Sequence, residues 1–242
     1  MSIALPKNSA KMKDWSWDSY VPFFDYLEDL DLSSSNVNEW MKYWSDLSEL
    51  IGEVGTSVYI STTVDTTDEE AKARYHKFLE EISENVSSRN QKLKIKFLKS
   101  GFSPVNFDIP LRGMKSEVGL FSEKNLPLLT SDAKLSKEYD AIIGSQTVRW
   151  EGEEVTLTQL SPVMLKTDRK NREKAWKMAA KRRLEDRQSI NEIWIKILKT
   201  RMSIAKNSGY GDYRAWRWEY LKRFDYTPED CLTFHRSIEK VI

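Results

Sequence analysis

The chain has 242 residues, 38 Lys+Arg against 37 Asp+Glu, 40% hydrophobic residues, 9 Gly and 7 Pro, a composition that excludes fibrous and disordered classes. A chain this long can bury about 70–75% of its unfolded surface, so it needs no staples, and its single cysteine, Cys231, offers no internal one. No apolar stretch approaches the roughly 20 residues of a membrane span, and Ile3-Ala4-Leu5 is too short for a signal-peptide core; a cytoplasmic protein is expected.

In chain order, Trp17, Tyr20, Phe23, Phe24, Leu27 and Leu30 recur at steps of three and four, predicting a helix that starts near Asp18, with Pro22 in its first turns. Val37, Trp40, Met41, Trp44, Leu47, Ile51, Val54 and Val58 predict a long core helix. Gly52 and Gly55 weaken it by roughly 1 kcal/mol each, so a close neighbour is expected there. Thr67-Asp68-Glu69-Glu70 reads as a capping box with Thr67 as the cap. The helix it opens runs along Ala71, Tyr75, Phe78, Leu79, Ile82, Val86, Leu93 and Phe97 to Ser100-Gly101. After a loop from Phe102 to Pro110, helices over about 108–124 and 131–144 are expected, separated by Leu126-Pro127.

Alternation around Glu151-Gly152-Glu153-Glu154 predicts a β-hairpin at about 147–157. Thr158 and Thr167 read as N-caps. From about Asp168 to Asn207 one helix presents Ala175, Trp176, Ala179, Ala180, Leu184, Ile190, Trp194, Ile197 and Leu198, and Ser208-Gly209 ends it. A short aromatic helix follows over Tyr213, Trp216, Trp218, Tyr220 and Leu221. The last helix opens at Thr227-Pro228-Glu229-Asp230. Its stripe of Phe234, Ile238, Val241 and Ile242 is still running when the sequence stops. Two readings stand: a fold cut before completion, or a natural terminal helix. The expected class is mainly α, an array of long helices with one hairpin, divided into regions 1–125 and 126–242.

Residues 1–85 carry 7 basic and 17 acidic side chains and residues 86–242 carry 31 and 20, net −10 and +11. Mutual attraction within one body is the simpler reading; an anionic partner is the other. Lys166–Arg187 holds ten Lys or Arg and four acids and could track a phosphate backbone. Trp176 alone interleaves it, so a solvated face is favoured and nucleic acid is not the expected partner.

A zinc site needs three or more converging ligands, and the chain has two histidines, His76 and His235. His76 and Glu80 lie four apart with no third ligand in sequence reach, and no His-Glu-x-x-His occurs. His235, beside Phe234, is expected to pack or cap. Cys231 could be a nucleophile near a helix N-terminus, but its apolar side favours packing. Gly209-Tyr210-Gly211 lacks the strand and the Lys-Ser/Thr of a phosphate loop. No catalytic, cofactor-binding or metal residue is assigned.

Longer strings go further. WMKYWSDLSELIGEVGTSVYISTTVDTTDEE (Trp40–Glu70), NLPLLTSDAKLSKEYDAIIGSQTVRWEGEEVTLTQLSP (Asn125–Pro162), Thr167-Asp168-Arg169 with Arg172, and SGYGDYRAWRWEYLKRFDYTPEDC (Ser208–Cys231) resemble the N-terminal portion of oligoendopeptidase F-like zinc metallopeptidases, the branch related to thimet oligopeptidase. The resemblance runs across nearly the whole chain. It implies one wall of a deep channel that admits short peptides, in an N-terminal part of a larger helical fold. It also implies that zinc, its His-Glu-x-x-His ligands and the general-base glutamate belong to a C-terminal catalytic half, so that this chain alone is inactive. A helical binding module for nucleic acid or another acidic partner is the alternative function.

Overall fold

The computed structural model describes residues 3–239 and 241. Helix α1 (Trp17–Asp29) buries Tyr20, Phe23, Phe24 and Leu27, and α2 (Val37–Val64) buries Val37, Trp40, Trp44, Leu47, Ile51, Val54 and Val58. These apolar stripes face each other. The polar edges of the aromatics are satisfied rather than stranded: the Trp40 indole donates to the Leu27 carbonyl at 2.9 Å, and the Tyr20 hydroxyl to the Met12 carbonyl at 3.0 Å. Leu93 and Phe97 complete this large core.

Asp68, not Thr67, caps the next helix. Its carboxylate accepts from the Ala71 amide at 2.9 Å, while the Thr67 hydroxyl donates to Asp65 at 2.6 Å. Helix α3 (Glu69–Lys77) continues through a π-helical segment, Phe78–Ser83, into α4 (Glu84–Ser100). Gly101 ends α4 in the left-handed region (φ 73°), as glycine permits. The close neighbour expected at α2 is Phe78: a Cβ added at Gly55 would meet its ring at 2.9 Å. Gly52 has nothing within 4 Å and needs no such explanation.

Helix α5 spans Asp108–Leu120, and α6 spans Leu126–Gly144 with Pro127 in its first turn. Pro127 therefore begins a helix instead of separating two, as its missing amide allows. Strands β1 (Thr147–Trp150) and β2 (Glu153–Thr156) pair antiparallel, Thr147 opposite Thr156. Their turn residues Glu151 (φ 52°) and Gly152 (φ 96°) both have positive φ, the hairpin turn that matches strand twist.

Thr156 and Gln159 form the capping box of α7 (Leu157–Leu160), and Asp168 caps α8 (Arg169–Glu185). Both caps replace the expected Thr158 and Thr167. The single helix expected over 168–207 breaks at Asp186, and α9 runs Arg187–Asn207. The fully buried Gln146 explains the break: its amide donates to the Asp186 carboxylate at 2.8 Å, and Arg182 binds the same oxygen at 2.6 Å. Helix α9 packs along α6, tied by Arg201 to Asp132 at 2.8 and 3.3 Å. Helices α10 (Tyr213–Tyr220) and α11 (Pro228–Ile238) follow, the latter with the Thr227–Asp230 box in place.

The expected stripe of α8 and α9 is buried only in part. Ala175 and Ile197 face inward with Ile193, Ile204 and Ala205, whereas Trp176, Leu184, Trp194 and Leu198 are exposed. Helix α11 buries nothing among the described residues; Phe234 is 62% exposed and His235 is exposed, so the latter neither packs inside nor caps. Ile242 lies outside the described residues. The acidic N-terminal and basic C-terminal stretches do meet: Arg89 pairs with Asp25 and Glu28, and Lys134 with Glu80.

Candidate functional site

The histidines lie on different helices. His76, on α3, borders a cavity of about 120 Å³ together with Lys72, Lys134 and Lys137. Glu80 is engaged by Lys134, whose hydrogen bond and charge, with a smaller push from His76, hold its carboxyl below the usual range. Glu138 and Asp140 line the same cavity, and Lys137 pairs with Asp140 at 3.3 Å, so its ammonium groups are largely engaged by neighbouring carboxylates. His235 stands exposed on α11 and Cys231 is half-buried on the same helix. Among the described residues no three His, Cys, Asp or Glu side chains are grouped to hold a metal ion. The donors present do not fit zinc, and no chemistry is assigned to a metal on these residues.

Gly209 (φ 80°) serves as the turn after α9, in keeping with its reading as a helix end. The basic run is partly engaged by its own neighbours: Lys177 pairs with Glu173 at 2.7 Å, Arg182 with Asp186, and Arg172 donates to the Lys166 and Thr167 carbonyls. Lys174 lies over the Trp150 ring at 5.1 Å.

A larger feature joins distant parts of the sequence. One face of α4, carrying Ser87, Asn90, Gln91 and Lys94 at steps of three and four, forms the wall of a groove of about 470 Å³. Glu117 and Leu120 of α5, Leu126 and Leu129 of α6, and Trp216 and Tyr220 of α10 also line it, as does Lys222. Trp216 is buried and stacks on Tyr220 at 4.9 Å between centroids. Ser208 fixes this corner: its hydroxyl accepts from Asn125 Nδ2 (2.9 Å) and Trp216 Nε1 (3.2 Å) and donates to the Leu120 carbonyl (2.7 Å). Every polar atom of that knot has a partner, so the end of α9, the start of α6 and α10 are held as one piece.

Charge in the groove centres on Glu117. Lys94 approaches one carboxylate oxygen at 2.7 Å and Lys222 the other at 2.6 Å. Burial pulls the Glu117 carboxyl up, but the two lysines outweigh it and leave the group below its ordinary value. None of these residues stood out in the sequence. The only local signal was the polar face of α4; its partners lie beyond any sequence window.

No family model matches this sequence. No curated protein matches it either. Solved structures do. PZ peptidase A with an inhibitor aligns at a TM-score of 0.81 and 24% identity, over 98% of this chain and 42% of its own. An oligoendopeptidase F assignment solved by X-ray at 3.1 Å aligns at 0.79 and 19%, over 98% and 42%. A protein of Bacillus anthracis strain Ames, also assigned as an oligoendopeptidase F, aligns at 0.78 and 20%, over 97% and 43%. The chain spans well under half the length of these structures, and over that length it has the fold of oligoendopeptidase F and PZ peptidase A.

Proposed function

We propose that this chain forms a non-catalytic helical wall of a zinc metallopeptidase that hydrolyses short oligopeptides, the bond-breaking groups being supplied by a further catalytic portion. The observation that carries this reading is the alignment of 98% of the chain, at a TM-score of 0.81, with 42% of a peptidase. The ordered strings quoted above support it independently. The boundary near residue 125 is proposed as the junction between an N-terminal helical region and the part leading toward the catalytic portion.

Partners follow from the same reading. The substrate is a short peptide. The catalytic portion is proposed to cover the exposed apolar side chains of α9 and α11, Trp194, Leu198, Met202 and Phe234. No helix among the described residues is long and apolar enough to cross a membrane, and one free cysteine suits a reducing, cytoplasmic setting.

Two measurements test the proposal. The purified chain, incubated with zinc and a quenched fluorogenic oligopeptide, is expected to retain no stoichiometric metal and to release no fluorescence; one tightly held zinc with turnover would overturn it. The reading frame after the Ile242 codon is expected to encode a His-Glu-x-x-His helix.

A further inference from the structure

We infer that the groove between α4, α5 and α10 binds the carboxylate of a small ligand that also carries an apolar side chain and an amide, as a free peptide C-terminus or an N-acyl amino acid does. Three features of the groove point there. The first is surplus positive charge: two ammonium groups, Lys94 and Lys222, converge on one carboxylate, Glu117. A clamp between helices needs one of them. Helix α10 is already attached to α5 without it, through Trp216 and Ser208 and through the Ser116 hydroxyl on the Glu219 carbonyl.

Second, the end of α10 lays the Lys222 side chain along α5. Its φ of 54° belongs to the left-handed position that ends α10, where the Lys222 and Arg223 amides donate to the Glu219 and Trp218 carbonyls, and from there its stem crosses α5 where Gly113 has no side chain. A Cβ at Gly113 would stand 3.2 Å from the Lys222 ammonium and 3.4 Å from its Cε. Third, the wall carries an acceptor that is open to solvent. Gln91 is 8% exposed and donates through Nε2 to the Val118 carbonyl at 3.3 Å, while its Oε1 has no protein donor among the described residues. An amide N–H of the ligand takes the place of water on it. Leu120 and Trp216 supply the apolar floor, and the volume of about 470 Å³ is that of a small-molecule site.

The choice of a peptide as the natural ligand rests on the proposed peptidase reading; the carboxylate chemistry does not. The test is calorimetric titration of the full chain with N-acetylphenylalanine, with its carboxamide, and with a dipeptide ending in phenylalanine. The acid is expected to bind at least about tenfold more tightly than the carboxamide, the worth of one charge-assisted contact. Lys222→Gln and Gly113→Val are each expected to weaken the acid by about the same factor while leaving the carboxamide unchanged. Lys196→Gln, on the exposed face of α9, serves as the control and is expected to change nothing. Circular dichroism confirms that each variant is folded. Equal binding of acid and carboxamide, or acid binding indifferent to Lys222→Gln, overturns the inference. If the acid binds and the dipeptide does not, the groove stands and the peptide-wall reading falls. If neither binds, the groove inference falls, and the peptidase reading is decided separately by zinc content and hydrolysis.

Discussion

The two ends of this molecule handle apolar side chains in opposite ways. From Met12 to Phe97 the aromatic and aliphatic residues close on one another in a single core, with Trp40, Tyr20, Phe24, Leu27 and Leu47 almost wholly removed from water. From α8 onward the inward-facing residues divide among small clusters, and large side chains such as Trp176, Trp194, Met202 and Phe234 stay in solvent. Burial, not the mere presence of tryptophan or leucine, therefore decides which helices stabilise the fold. The first region holds itself together; the second offers surface.

Substitutions can break that contrast. Trp40→Ala removes the stacked neighbour of Phe97 and leaves the Leu27 carbonyl without its indole donor. It is expected to destabilise the chain by about 4 kcal/mol, read as the shift of the denaturant midpoint. Trp194→Ala, at a residue 57% exposed, is expected to change stability by less than about 0.5 kcal/mol. Equal losses for the two tryptophans would erase the distinction between the regions.

A finer contrast lies within α2. Gly55→Ala drives a methyl into the Phe78 ring and is expected to cost about 1–2 kcal/mol, crowding outweighing the gain in helix propensity. Gly52→Ala meets open space and is expected to stabilise by about 0.5–1 kcal/mol. Thermal melts of both variants check the opposite signs.

The smallest expected effect concerns pH. The Glu117 carboxyl is held below its ordinary range, burial being outweighed by Lys222 and Lys94. Its contribution is present above the unfolded carboxyl's value, near 4.3, and is lost as pH falls through the lower folded value. Glu117→Gln is thus expected to be slightly less stable than the parent at pH 7 and equal to it near pH 2. A gap that persists at pH 2 would show that the carboxylate charge is not the cause.

Periodicity exposed the long helices because one buried stripe per helix imposes a step of three to four residues, and α1, α2 and the Gly101 stop were legible on that ground. Capping was legible only to within a residue or two. In both Thr67-Asp68 and Thr167-Asp168 the aspartate wins, since either side chain can accept an amide and the choice depends on local backbone angles. The outward turn of Trp176 and Trp194 was hidden because α8 and α9 carry apolar residues on more than one face, and the partner helix selects among them. Asp186 broke a helix through a contact with Gln146, forty residues away. The groove was illegible for the same reason: Gln91, Glu117 and Lys222 share no window, and only folding brings them together.

The π-helical segment at Phe78–Ser83 has a rotational consequence. Such a bulge amounts to one inserted residue, and each residue turns an α-helix by about 100°. Deleting one residue there would let the backbone hydrogen bonds revert to the common spacing and leave α4 at its present rotation, because the wide turn already absorbs the extra residue. The same residues forced into regular α spacing with none removed would instead turn α4 by about 100°, taking Leu93 and Phe97 out of the aromatic core and Lys94 away from Glu117, so this short irregularity keeps both faces of the helix in register.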